Sequence, residues 1–358
     1  MKTQSQAQPV FKVFDDQRSL NRAAAPTNHP DLAFGKLGVL MINLGTPNAP
    51  DTSSVKRYLK QFLSDSRVIE LNKILWWPIL NGPILTFRSP KTARNYAKIW
   101  GEDSPLRLGT RQIAQALSER FESDQTVIVD YAMRYGEPSV PDKLQELQAK
   151  GCDRILCFAL YPQYSATTTA SAYDAVFNYA KKARWQPTIR TAPSYHEETL
   201  YIDALKTSIE ESLNDLPWEP EVILASFHGL PKQNLLKGDP YHCQCQKSGR
   251  LLAEALGFAP ERLRVTFQSR FGPAEWLKPY TDDVAEELAK SGTKRIAIIS
   301  PGFAADCIET LEELAMGTQE IFEDAGGTHF HYIPCLNADA IAIDLYEKVA
   351  RDNLAGWL

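Results

Sequence analysis

The sequence predicts an α/β protein of two doubly wound domains, each with a four-stranded parallel sheet flanked by helices. Three observations carry this expectation. The chain has 358 residues, more than one hydrophobic core usually serves. Short β-branched runs alternate with amphipathic segments of helical length from about residue 36 onward. Those runs are nearly continuous in apolar residues, as in strands covered on both faces by helices.

Taken in order, residues 1–35 are polar, contain AAAPTNHP and show no sustained period, so they read as a loosely held extension. The first domain is expected over 36–195, with strands at 38–44 (GVLMINL), 126–133 (TVIVDYAM), 153–160 (DRILCFAL) and 187–192 (PTIRTA). The second is expected over 196–358, with strands at 221–227 (EVILASF), 264–269 (RVTFQS), 294–300 (KRIAIIS) and 329–334 (HFHYIP), followed by a C-terminal helix. No sequence repeat relates the halves, so the duplication is architectural. The most apolar stretch, ILWWPILNGPILTF, is broken by Pro78, Gly82 and Pro83. It is shorter than the roughly 20 residues a membrane span needs. It reads as a non-helical exposed lip suited to a peripheral contact with a membrane or to a flat apolar ligand.

Composition is that of an ordinary globular protein, with 44% hydrophobic and 23% charged residues. A net charge of -5 without a Lys/Arg cluster argues against nucleic acid as a partner. The N-terminal stretch has no apolar run of signal-peptide length, so a cytoplasmic protein is expected. Its six cysteines, Cys152, Cys157, Cys243, Cys245, Cys307 and Cys335, are scattered and read as free thiols. YHCQC lacks the two-residue gap of a zinc knuckle and has no second half, so it is not read as a metal site.

Ligands of parallel α/β sheets bind beyond the carboxyl ends of the strands. There, SFHGLP ends an apolar strand by presenting His228, and PGFAADCIETLEELAMG follows the strand at 294–300. A helix starting near Ala304 or Ala305 would align Asp306, Glu309 and Glu313 at i, i+3 and i+7, with Ile308, Leu311, Leu314 and Ala315 opposite. An acidic stripe alone is usually a solvated face. This one shares a sheet edge with a histidine. Imidazole and carboxylate together suit a divalent first-row metal such as iron, and so few ligands make an open site, fit for a metal that passes through.

Seven segments, INLGTPNAP, YLKQFLSDSRVIELN, LYPQYSATTTAS, SFHGLP, KGDPYHCQC, TFQSRFGPAEWLKPYTDD and SPGFAADCIETLEEL, occur in this order between residues 42 and 314, within a resemblance that runs over about 38–337. Together they closely resemble the ferrochelatases of bacterial type, which insert ferrous iron into protoporphyrin to form haem. The resemblance implies the chelatase fold, two Rossmann-like domains with a porphyrin cleft between them, and protoporphyrin IX and ferrous iron as substrates. It implies His228 as metal ligand and acceptor of pyrrole protons, Glu309 as its metal-binding partner, and Glu313 as a guide for metal or protons. Arg88, Tyr96 and Ser104 would hold the propionates, while Trp276 and Leu44 would contact the ring. Cys307 stands where many relatives have a histidine. The Ser/Thr loop reads Ala166 where animal-type members have a cysteine, and no cysteine follows Cys335, so no iron–sulphur cluster or other cofactor is expected. Two rivals remain: a sirohydrochlorin chelatase of cobalt or iron, disfavoured by the propionate-type residues and chain length, and a non-enzymatic two-domain receptor for small ligands.

Overall fold

All eight apolar runs form strands, which assemble into two separate parallel sheets in a computed structural model that describes residues 33–124, 126–259 and 261–358. The extension expected over 1–35 therefore lies, except for its last three residues, outside the described residues. The first sheet contains β1 (Lys36–Gly45), β2 (Val127–Tyr135), β3 (Cys152–Ala159) and β4 (Thr188–Thr191) in the order β2-β1-β3-β4. The second contains β5 (Val222–His228), β6 (Leu263–Gln268), β7 (Arg295–Ile299) and β8 (His329–Ile333) in the order β6-β5-β7-β8. The two orders are the same. In each half the chain steps to one side of its first strand and then to the other, which opens a crevice at the carboxyl ends of β1 and β3, and of β5 and β7.

Between β1 and β2 lie α1 (Thr52–Leu63), α2 (Lys73–Ile79), α3 (Leu85–Ile99) and α4 (Pro105–Arg120). Next come α5 (Val140–Ala149), α6 (Ser171–Lys182) and α7 (Thr199–Asn214). The second half carries α8 (Lys232–Leu236), α9 (Tyr241–Leu256), α10 (Thr281–Lys290), α11 (Gln319–Asp324) and α12 (Ala340–Leu354). The C-terminal helix returns to the first half. Asp344 accepts from Arg120 at 2.7 Å, and Arg190 donates to the carbonyls of Asn353 and Ala355 at 2.8 and 3.0 Å. One apolar core accordingly runs through both halves, joining Val39, Met41 and Phe158 to Ile223, Phe227, Phe267 and Tyr346.

The lip differs from expectation. Its prolines do not stop the helix: α2 passes through a π-helical turn, Leu80–Ile84, directly into α3. The Leu85 amide reaches back to the Leu80 carbonyl, five residues earlier. A ladder loosened in this way accommodates the missing donor of Pro83 without ending the run. Ile74, Leu75, Trp77 and Phe87 are 84%, 70%, 65% and 75% exposed, so the segment does present an apolar surface. Trp76 does not share in it, because its indole nitrogen donates to the Leu63 carbonyl at 2.7 Å and its ring packs inward.

Candidate active site

β5 is buried along its length until the half-buried His228. His228 lies opposite Gln268 in the β5–β6 register. Its Nδ1 is 2.6 Å from the Gly229 carbonyl, which can only accept, so Nδ1 carries the proton. In the neutral ring Nε2 is then the free lone pair, the arrangement that orients metal-binding histidines. Gly229 is required at its position. A Cβ there would stand 2.7 Å from the Gln268 carbonyl oxygen and 3.2 Å from Trp276 Cε3. Trp276 thus packs on the backbone beside His228, with its indole nitrogen buried and unpartnered among the described residues. The two segments are fastened by the Leu277 amide donating to the Leu230 carbonyl at 2.9 Å.

The helix after β7 begins at Ile308, not at Ala304 or Ala305, and is π-helical over Glu309–Thr318. Asp306 therefore does not join the acidic line. Its carboxylate accepts from Tyr332 Oη at 2.6 Å, Asn337 Nδ2 at 2.8 Å and Thr310 Oγ1 at 3.1 Å, which ties the turn to the end of β8. Within the π-helix Thr310, Leu314 and Thr318 are buried at every fourth residue. Glu309 and Glu313 each precede one of these and lie along a common edge. Glu312 is turned away and pairs with Lys98 of α3 at 2.7 Å.

Two consecutive residues at the end of β6 fasten this edge. Gln268 Nε2 donates to the Glu309 carbonyl at 2.8 Å, and Ser269 Oγ donates to Glu313 Oε2 at 2.6 Å. His228 and Glu309 are thus both tied to one residue, Gln268, the first by strand register and the second by its side-chain amide, which is itself fixed by a 3.0 Å bond from Ser226. Burial pushes the Glu313 carboxyl up to about 7, against the Ser269 hydrogen bond and with the help of the Glu309 and Asp282 charges. Burial, assisted by the Glu309 charge, holds the Cys307 thiol well above its usual range. Cys307 is therefore a neutral thiol beside Glu309.

From the first half, Tyr58, Tyr96 and Tyr161 approach the same place. All three phenols are raised by burial, with the charge of Glu309 adding to it. Tyr96 sits at Thr46 and Tyr58. Ser104, the residue before α4, accepts from Thr46 Oγ1 at 2.8 Å. Tyr96 and Ser104 are 5% and 1% exposed. Arg88 is not with them. Eight residues along α3, about 12 Å, separate it from Tyr96, and its half-buried guanidinium stacks on the Phe271 ring at 4.2 Å. The three residues expected on one propionate-binding edge are divided between a buried hydroxyl pair and a cation at the lip. Leu44, half-buried at the end of β1, packs between two core clusters.

Sequence reasoning missed Gln268, Ser269, Tyr58 and Tyr161. Gln268 ends a parallel strand and Ser269 follows it directly, so the same edge rule that singled out His228 points to them. The cysteines are free, and His242 of YHCQC stacks on Phe267 with ring centroids 5.6 Å apart. Among the described residues no three His, Cys, Asp or Glu side chains gather closely enough to enclose an ion, and no helix is long and apolar enough to cross a membrane.

Comparison with known proteins bears on this geometry. Among solved structures, SirB from Bacillus subtilis with Fe3+ superposes with a TM-score of 0.54 at 12% identity, covering 90% of this chain and 96% of that one. That likeness concerns the fold, which is the chelatase fold. A ferrochelatase of Allorhizobium ampelinum is 53% identical over 336 residues, 93% of this chain and 98% of the relative. One from Rhizobium meliloti is 53% identical over 337 residues, 93% and 99%. The family model for ferrochelatase matches residues 36–354, and the chain therefore belongs to the ferrochelatase family.

Proposed function

We propose that this chain, as a ferrochelatase, inserts ferrous iron into protoporphyrin to form protohaem, with His228 and Glu309 as the groups that meet the metal and the pyrrole protons. The observation that carries these roles is the linkage of His228 to Glu309 through Gln268 at the carboxyl ends of β5 and β7. Insertion releases two pyrrole protons and strips water from the ion. His228, with Nδ1 committed to the Gly229 carbonyl, offers Nε2 as acceptor or ligand, one role at a time. Glu309 offsets the cost of desolvating a dication, and Glu313, with a carboxyl near neutrality, passes protons or metal between Glu309 and the outside.

The macrocycle must bend to expose its nitrogens, and strain of that kind draws on binding energy elsewhere in the ligand. Trp276, Leu44 and the exposed lip supply apolar surface for it, at roughly 25 cal/mol per Å². Arg88 directly follows that lip, and we assign it one propionate, reached by leaving Phe271. Tyr96 and Ser104 act from the cleft floor through Thr46. Iron is the substrate metal in this reading. A cytoplasmic protein whose lip rests on a membrane surface fits the exposed Ile74, Leu75 and Trp77.

Purified protein should insert zinc, a fluorescent surrogate for iron, into protoporphyrin, and should not insert cobalt into the octacarboxylate sirohydrochlorin at comparable concentrations. His228→Ala should lower turnover by roughly 10² or more with the fold intact. Retention of a tenth of wild-type turnover would remove His228 from the mechanism.

A further inference from the structure

Ser269 and Asn337 are the two non-glycine residues with φ in the left-handed region among the described residues, at 65° and 50°. The conformation is disfavoured for any residue with a Cβ, and glycine or asparagine adopts it more readily than serine. At Ser269 it has a specific geometric effect. Consecutive side chains of a strand point to opposite faces. The left-handed turn directly after β6 instead brings Gln268 and Ser269 onto the same neighbour, the π-helix, where one takes the Glu309 carbonyl and the other the Glu313 carboxylate. Glycine would make the turn but would bring no hydroxyl.

On the outer side Asp282, the second residue of α10, stands within charge range of Glu313 at the protein surface, with its own carboxyl raised by partial burial. Its carboxylate accepts from Thr318 Oγ1, at the last residue of the π-helix, at 2.8 Å. The line therefore runs from Glu309 in the cleft through Glu313 to Asp282 outside. Glu313 is its middle member, and Ser269 is the one side-chain donor to the Glu313 carboxylate among the described residues.

We propose that Ser269 is a positioning residue for the reaction: its hydroxyl holds the Glu313 carboxylate in line between Glu309 and Asp282. The proposal rests on the assignment of Glu309 and Glu313 to metal insertion. A proton taken from the pyrroles moves from one carboxylate to the next and leaves to solvent, and no other atom changes partners. Without the hydroxyl, the Glu313 side chain is free to leave the line, and each turnover waits for its return. Porphyrin binding is untouched.

Ser269→Ala and Ser269→Gly separate the hydroxyl from the backbone conformation. Alanine keeps the strain and loses the donor, whereas glycine loses both. Both variants should lower kcat for zinc insertion by roughly tenfold, the low end of the loss of a hydrogen bond to a charged group, with KM for protoporphyrin within twofold of wild type and an unchanged far-UV spectrum for Ser269→Ala. Ser269→Asn, which tolerates the turn and carries an N–H donor, should recover part of the loss. Wild-type kcat in either Ala or Gly variant overturns the proposal, as does a tenfold rise in porphyrin KM with kcat unchanged. His228→Ala, run alongside, separates the two readings. If it is inactive while the Ser269 variants behave as wild type, only this inference fails; if it is active, the site assignment itself fails.

Discussion

Gly229→Ala tests the packing that aims His228. The added Cβ would lie 2.7 Å from the Gln268 carbonyl oxygen, a backbone atom that cannot rotate aside, and 3.2 Å from Trp276 Cε3. That carbonyl also accepts the Gly229 amide at 2.8 Å. The ends of β5 and β6 must therefore part by at least a few tenths of an ångström. Overpacking of this kind costs about 1–3 kcal/mol, and a stretched backbone hydrogen bond adds about 1 kcal/mol. The displacement falls on His228, one residue away and bonded through Nδ1 to the carbonyl of residue 229 itself. Since misplacement by about 1 Å can cost 10²-fold in rate, a half-ångström shift should lower kcat by roughly tenfold. Steady-state zinc insertion, followed by product fluorescence, measures it. Gly101→Ala is the control, because nothing lies within 4 Å of a Cβ there, and it should stay within about twofold of wild type. If Gly229→Ala matched that control in kcat with an unchanged far-UV spectrum, the close approach of residue 229 to β6 would not be what aims the histidine.

The remaining predictions concern charge. The Glu313 carboxyl is raised from 4.5 to about 7 in the fold, so the native state binds the extra proton between those values. Its destabilising effect is absent below about pH 4.5, grows across the window and is complete above pH 7, up to roughly 3 kcal/mol. Glu313→Gln should therefore raise the denaturation midpoint at pH 8 and leave it unchanged at pH 4.5 while slowing metal insertion; equal shifts at both pH values would contradict the burial of a charge. Glu312→Gln should change turnover by less than about twofold, because it breaks only a partly exposed ion pair with Lys98 worth about 0–1 kcal/mol. Arg88→Leu should raise KM for protoporphyrin roughly tenfold with a smaller effect on kcat, the pattern of lost uniform binding. An unchanged KM would place the propionates elsewhere.

What was legible in the sequence was whatever local pattern determines. The eight strands are continuous apolar runs ended by Gly, Pro or polar residues, and His228 stood out because it ends such a run at SFHGLP. The departures come from partners distant in sequence. Asp306 looks like the first member of an acidic stripe until Tyr332 and Asn337, 26 and 31 residues later, take its carboxylate and hold the chain out of the helix. Trp76 and Trp77 are adjacent and alike, yet the Leu63 carbonyl draws one inward and leaves the other exposed. The π-helical register at Glu309–Thr318 leaves no mark in a residue pattern that suits an α-helix equally well.

The two halves share one strand order and use it differently. At the carboxyl end of β1, Thr46 joins Ser104 and Tyr96 in a buried group of three hydroxyls, and the long passage to β2 is spent on the four helices that carry the lip. At the equivalent end of β5 stands His228, and the passage from β7 to β8 is spent on the acidic π-helix. The first half thus contributes apolar surface and neutral hydroxyls, while the second contributes an imidazole and carboxylates. Ile308 packs against the first-half cluster that contains Val55, Tyr58 and Tyr96, so the residue before Glu309 is anchored to the first half while Gln268 holds Glu309 itself from within the second half. Glu309 is fixed from both domains at once. On the proposed assignment of His228 and Glu309, a relative movement of the halves would then shift one against the other and lower the rate of metal insertion.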